Sequence, residues 1–142
     1  MSIRIYKKYL YILIILIFQC GCAYFNTFYN AKTYYKEAEN IRLKKSGESI
    51  PITAMDKYGK VIEKCQKVLN EFPKSRYRMS AILLMAQARY YRTEYDAAIE
   101  NLKQIKSYDN QKLFENSEYW ISLCKWKKGN SEVAKLELNN LL

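Results

Sequence analysis

The sequence predicts an all-α fold built from about three pairs of antiparallel helices. Only four glycines and two prolines occur in 142 residues, so few positions would interrupt a helix. Several long stretches place apolar residues at helical spacing. Three of these stretches recur at separations of 37 and then 36 residues, and internal repeats of this length are typical of solenoid proteins.

The N-terminal segment, residues 1–21, predicts a secretion signal peptide. It begins with the basic residues Arg4, Lys7 and Lys8 and continues with the unbroken apolar run Leu10–Phe18. A basic start followed by an apolar core of about 7–15 residues is the pattern of such a signal. A membrane-spanning helix needs about 20 apolar residues. We therefore favour a cleaved signal, and a retained N-terminal membrane helix is the alternative.

The end of this segment predicts a lipid anchor at Cys22. Gly21 followed by Cys22 resembles the bacterial lipobox, in which the signal is cut before a cysteine that becomes diacylated. A metal site at Cys20 and Cys22 is disfavoured, because two thiolates fall short of the four ligands of zinc and the chain has no histidine. Two acyl chains hold a protein stably on a bilayer, whereas Cys20 would leave with the signal.

Composition argues against catalysis and against nucleic-acid binding. The absence of histidine excludes Ser-His-Asp and Cys-His catalytic arrangements, and no glycine-rich phosphate loop occurs. We expect no enzyme activity, no cofactor and no metal. The net charge of +10 is scattered along the chain, which favours a solvated surface over a nucleic-acid footprint. Cys65 and Cys124 are expected to be small buried hydrophobes without a shared disulfide.

The first helix is predicted within FNTFYNAKTYYKEAENIRLKK, and the loop Lys44–Pro51 follows it. Its apolar stripe is expected to face the core. The stripe consists of Phe28, Ala31, Tyr35, Ala38 and Ile41 or Arg42. Contact of Phe25, Phe28 and Tyr29 with a lipid interface, where tyrosine is common, stays open as an alternative.

The second helix of each pair is predicted in Tyr58–Pro73, Tyr95–Asn110 and Ser131–Leu142. Each segment places small or apolar residues at i, i+4 and i+7, which form one stripe of a helix. The three stripes are Val61, Cys65 and Val68; Ala98, Leu102 and Ile105; and Ala134, Leu138 and Leu141.

The first helices of the second and third pairs are predicted in ILLMAQARYYRTEY and EYWISLCKWKKGN. Ile121 and Ser122 occupy the positions that Met85 and Ala86 hold in the earlier pair. The turn position of Thr93 is taken by Gly129. The stripe of the earlier helix is Ile82, Met85, Ala86 and Arg89.

These motifs resemble the tetratricopeptide repeat. The small residue of that family's first helix matches Ala86 and Ser122, and its second-helix alanine matches Ala98 and Ala134. Its closing proline matches Pro73. The resemblance implies a right-handed superhelix of antiparallel helix pairs, in which small residues let the helices of a pair approach.

The order of motifs resembles the BamD-like outer-membrane lipoproteins. A lipobox is followed by CAYFNTFYNAKTYYKEAE and then by repeats with VLNEFPKSRY between them. The resemblance implies a scaffold on the periplasmic face of the bacterial outer membrane, with Cys22 as its anchor and a role in assembling β-barrel membrane proteins. The inner membrane is the alternative location. A structural or oligomerising subunit of an envelope complex is the alternative function.

Two surfaces are predicted to contact protein or peptide partners of the cell envelope. The first is a cleft lined by Arg89, Tyr90, Lys125 and Trp126. The second is an apolar edge near Leu138 and Leu142, where AKLELNNLL is followed by no polar helix. Repeat arrays need polar caps to stay soluble, so we expect self-association or a partner at this edge. A truncated copy of a longer repeat protein would present the same edge.

Overall fold

The computed structural model describes residues 26–45, 47, 49–106 and 110–141. The predicted signal peptide and the predicted anchor Cys22 lie outside the described residues, as do Phe25 and Leu142.

The described residues form six helices and no strand. The helices are α1 (26–44), α2 (Ile52–Glu71), α3 (Arg78–Tyr91), α4 (Tyr95–Leu102), α5 (Gln111–Lys127) and α6 (Ser131–Asn140). From α2 onward each helix contacts the next one along the chain, and α3 also contacts α5. The predicted all-α fold of consecutive helix pairs is confirmed.

The core consists of two clusters on opposite sides of α3. The first joins α1, α2 and α3 and includes Phe28, Ala38, Tyr58 and Met85. The second joins α3, α4 and α5. Its buried members are Ile82, Ala86, Ala98, Leu102, Ile105, Ile121 and Cys124. Phe28 therefore belongs to the core, as its place in the first-helix stripe predicts.

The predicted stripes of the second helices are buried in the first two pairs. All six of their residues are at most 2% exposed. In the third pair Ala134 is fully buried, but Leu138 is only half-buried and Leu141 is 40% exposed. The stripe of the third pair is therefore less covered than those of the first two pairs, at the edge near Leu138 where the sequence predicts an open apolar surface.

The turns between the helices of the second and third pairs have the same geometry. Thr93 has a φ of 62° and Gly129 a φ of 94°, both in the left-handed region. The next residue closes each turn, since Glu94 donates to the carbonyl of Arg89 at 2.9 Å and Asn130 donates to that of Lys125 at 3.0 Å. The predicted equivalence of Thr93 and Gly129 is confirmed.

A side-chain cap starts the third pair at Asn110, which follows Pro73 by 37 residues and so holds the equivalent position in the next repeat. The side chain of Asn110 accepts a hydrogen bond from the backbone N–H of Leu113 at 2.9 Å. Asparagine is among the preferred residues at this position, because its oxygen satisfies one of the unpaired N–H groups of the first turn. The change from proline to asparagine is thus compatible with the helix boundary.

Candidate binding surface along the first helices

A row of aromatic rings crosses three helix pairs. The aromatic row consists of Tyr35 in α1, Tyr58 in α2, Tyr91 in α3, and Trp120 and Tyr119 in α5. Successive ring centroids are 5.8, 5.0, 6.0 and 5.9 Å apart. These distances fall within the range of about 4.5–7 Å in which aromatic pairs attract one another. The row therefore links all three first helices through ring contacts.

The row runs from a buried centre to an exposed end. Tyr58 is fully buried in the first core cluster, and Tyr91 stacks on it at the end of α3. Trp120 is partly buried against the second cluster. Its neighbour Tyr119 is 44% exposed. The inner rings fix the positions of the outer ones, so that Tyr119 is presented from a rigid base.

An ion pair on α1 fixes the inner half of the row. Arg42 donates two hydrogen bonds to the Glu39 carboxylate, from Nε at 3.1 Å and from Nη2 at 2.7 Å. The Tyr58 hydroxyl donates to the same carboxylate. The Arg42 guanidinium lies 4.5 Å from the centroid of the Tyr91 ring, in cation–π contact. Arg42 thus connects α1 to α3 through its cation–π contact, and Glu39 connects α1 to α2 through its hydrogen bond with Tyr58.

The phenols of Tyr58 and Tyr35 remain protonated at neutral pH. Burial raises the pKa of Tyr58, and its hydrogen bond to Glu39 raises the pKa further. Burial likewise raises the pKa of Tyr35, with the nearby Glu39 charge as a second cause. These hydroxyls are therefore neutral, and that of Tyr58 donates a hydrogen bond to Glu39.

Among the predicted partner-binding residues, Tyr90 lies beside the row. Its ring centroid is 5.2 Å from that of Trp120 and 5.6 Å from that of Tyr95. Burial raises the pKa of Tyr90 to about 12. Tyr90 therefore joins the row to the start of α4.

The other three predicted residues face different surroundings. Arg89 pairs with Glu94 at 3.2 Å and borders a shallow groove of about 560 Å³ along α2. Lys125 forms an ion pair with Glu137 of α6. Trp126 is 57% exposed and borders a cavity with residues of α6. The structure does not bring the four residues into one cleft, and their part in partner binding stays a prediction.

The α5–α6 ion pair is supported by a second donor. Ser122 donates to Glu137 at 3.0 Å. Partial burial raises the pKa of Glu137, but the hydrogen bonds from Lys125 and Ser122 outweigh this and hold the pKa below its usual range. The carboxylate is therefore charged at neutral pH, and its ion pair with Lys125 joins α5 to α6.

Sequence reasoning missed most of the aromatic row. One usable signal is the spacing on α1, where Tyr35, Glu39 and Arg42 are separated by four and three residues and share a helix face. The fourteen tyrosines of the chain are another. Neither signal identifies Tyr58, Tyr91 and Trp120 as neighbours, because their contacts join different helices.

Cys65 and Cys124 are buried free cysteines in different core clusters. Burial raises the pKa of the Cys65 thiol to about 12 and that of the Cys124 thiol to about 11. The thiolate is the reactive form, so both thiols are poorly suited to redox chemistry in the folded chain. The expectation that they are buried hydrophobes without a shared disulfide is confirmed.

Within the described part of the chain, no group of three or more His, Cys, Asp or Glu side chains could hold a metal ion. A helix both long enough and apolar enough to cross a membrane is likewise not found among the described helices.

Fold and surface together define an all-helical protein of repeated helix pairs whose first helices share an aromatic row. No protein-family model matches the chain, and no curated protein or solved structure is significantly similar to it. The similarity to tetratricopeptide and BamD-like proteins therefore rests on the sequence motifs quoted above.

Proposed function

We propose that this chain is a lipid-anchored scaffold that binds a segment of a partner protein along the aromatic row. The aromatic row itself is the observation that carries the proposal. Its partly or fully exposed members, Tyr35, Tyr91, Trp120 and Tyr119, lie on all three helix pairs, and helical-repeat proteins use such extended surfaces for binding. Tyrosine, tryptophan and arginine are also the residues in which interface binding energy concentrates.

The excess of basic residues in the chain, several of them on α1 and α2, favours a partner segment that carries acidic groups. Lys57 and Lys60 lie 5.4 and 5.5 Å from the ring centroid of Tyr34 on α1. Lys32 lies 5.4 Å from that of Phe28 on the same helix. The net charge of the chain is +10, and it is still +7 without Arg4, Lys7 and Lys8 of the predicted signal, so acidic segments are attracted before contact. The partner segment is therefore apolar or aromatic with acidic flanks.

The location of the scaffold is part of the same proposal. The lipobox-like Gly21–Cys22 motif supports a lipid anchor, and the similarity to BamD-like proteins supports the periplasmic face of the outer membrane. The partners are then proteins of the cell envelope, including β-barrel membrane proteins during assembly.

Site-specific photocrosslinking tests the surface. A photoreactive phenylalanine derivative replaces Tyr35 at one end of the row or Tyr119 at the other, in the native host. We expect one partner to be captured from both positions, because a single bound segment would pass over the exposed edges of the row from Tyr35 to Tyr119. The matched control replaces Lys103, which is exposed on the turn after α4, and should not capture it. Capture from Tyr119 without capture from Tyr35 would contradict binding along the row.

A further inference from the structure

The outer side of the third helix pair carries an uncovered apolar face. This α5–α6 face consists of Trp126 on α5 and Leu138 and Leu141 on α6, with Tyr119 at its margin. Two cavities of about 490 and about 370 Å³ lie along it, and Leu138 borders both of them. Trp126 is 57% exposed and Leu141 is 40% exposed, so large apolar side chains here face solvent in the described structure.

The preceding pair shows what covers such a face. A shift of 36 residues relates Trp126 to Tyr90, Leu138 to Leu102, and Leu141 to Ile105. Leu102 is fully buried and Ile105 is 2% exposed, in the cluster that α5 completes. The Tyr90 ring lies against Trp120 of α5. The equivalent positions of the second pair are thus covered by a helix, namely α5.

A series of equivalent contacts leads to the same conclusion. Arg42 of α1 lies over Tyr91 of α3, at 4.5 Å. Tyr90 of α3 contacts Trp120 of α5, at 5.2 Å. Both α1 and α3 thus use a residue near their C-terminal end to contact an aromatic ring on the following first helix, although the two rings lie at different positions along their helices. Trp126 holds this position in α5, so its geometry suits a ring or a cation on a further helix.

The contact stripe of α5 indicates which residue pattern a helix needs in order to cover the α5–α6 face. α5 contacts the second pair through a stripe at i, i+3, i+7 and i+10. The stripe is formed by Phe114, Ser117, Ile121 and Cys124. Ser117 and Cys124 are small and fully buried, which lets the backbone of α5 approach its neighbours. A helix that fits the α5–α6 face therefore alternates large apolar and small residues along one side.

The first helix of a second copy does not have this pattern. If Ala38 is aligned with Ser122, the stripe positions of α5 correspond to Asn30, Thr33, Glu37 and Asn40 of α1. All four are polar, and Thr33 and Asn40 are exposed. Placing them against Trp126 and Leu138 would bury polar groups without partners, which is unfavourable. Head-to-tail stacking of copies therefore does not cover the face.

We propose that the α5–α6 face binds an amphipathic helix of another protein, with a contact stripe patterned like that of α5. This surface is separate from the inner part of the aromatic row, and the inference does not depend on the proposed function.

The test uses α5 itself as the probe. A fluorescein-labelled peptide with the sequence of residues 110–127, with serine in place of its cysteine, is titrated into the purified full-length chain and followed by fluorescence anisotropy. We expect saturable binding. Trp126→Ser and Leu138→Asn should each weaken it by about tenfold or more, as expected for central interface positions. Leu43→Ser, at an exposed leucine of α1, is the matched control and should leave binding unchanged.

Three results would overturn the proposal. The first is the absence of binding. The second is non-specific binding, which both substitutions leave unchanged or which a peptide of shuffled sequence reproduces. The third is a concentration-dependent dimer in sedimentation that Trp126→Ser abolishes, since the occupant would then be a second copy joined through the same face. Photocrosslinking from Tyr35 should be unaffected by Trp126→Ser. A failure of helix binding at the α5–α6 face can therefore be distinguished from a failure of partner binding along the aromatic row.

Discussion

Small buried residues set how closely the helices of each pair approach. Ala98 and Ala134 occupy the same position in the second and third pairs, and both are fully buried. Ala98 belongs to the second cluster with Leu102 and Ile121. A methyl group at this position lets α4 lie against its neighbours, whereas a larger side chain would have to push them apart.

We predict that Ala98→Leu destabilises the domain. Overpacking a filled core typically costs about 1–3 kcal/mol, so the midpoint of thermal or urea unfolding should fall clearly. Lys103→Gln is the control, because Lys103 is exposed and its ion pair with Glu100 lies on the surface, where such pairs contribute little. Equal midpoints for the two variants would contradict the repeat alignment.

Gly59 lies within the continuous helix α2, next to the side chain of Arg92. The Arg92 guanidinium donates to the carbonyl of Met55 at 2.9 Å and to the carboxylate of Glu94 at 2.7 Å. A Cβ added at Gly59 would lie 3.4 Å from Nη1 of Arg92, an ordinary contact with the end of a flexible side chain. Glycine within a helix is less favourable than alanine by about 1 kcal/mol. Helix propensity should therefore outweigh the contact.

Gly59→Ala is accordingly expected to stabilise the domain by about 0.5–1 kcal/mol. The measurement is the free energy of urea unfolding, compared with that of Gly59→Leu. The leucine side chain extends further toward the guanidinium and should displace Arg92 from Met55, so this variant is expected to be less stable than Gly59→Ala. A lower stability for Gly59→Ala than for the natural chain would show that the Arg92 contact tolerates no Cβ.

The helices could be predicted from sequence and the aromatic row could not. Val61, Cys65 and Val68 mark a helix face through local spacing, which one segment reveals on its own. The row depends instead on pairs such as Tyr58 and Tyr91, which lie in different helices and meet only after those helices have packed. Periodicity alone likewise does not decide the exposure of Leu141, because a stripe predicts which side of a helix is apolar but not whether a neighbour covers it.

At the scale of the whole molecule, the predicted anchor would hold the repeats close to the bilayer. The described part of α1 starts four residues after Cys22. Four fully extended residues span at most about 14 Å. If Cys22 is lipidated, α1 therefore lies near the headgroups, and the α5–α6 face belongs to the pair that is most distant from the anchor along the chain.

We predict that Cys22→Ala leaves an unprocessed precursor in the native host, because we expect this cysteine to be both the site of acylation and the first residue of the mature protein. Intact-mass spectrometry measures the N-terminus directly. Cys20→Ala is the matched control and should be processed normally, since Cys20 is expected to leave with the signal. An intact N-terminus on the natural protein would favour the retained membrane helix instead.

The division of the core along α3 determines how the domain opens. Met85 and Ala88 of α3 belong to one cluster, while Ile82 and Ala86 belong to the other. Detaching α5 and α6 would therefore expose the second cluster while α1, α2 and α3 keep the first one closed. Partial opening of this kind has a lower free energy than global unfolding. A partner that detaches α5 and α6 would therefore need to supply only the free energy of this partial opening. The ring contacts among Tyr35, Tyr58 and Tyr91 would remain.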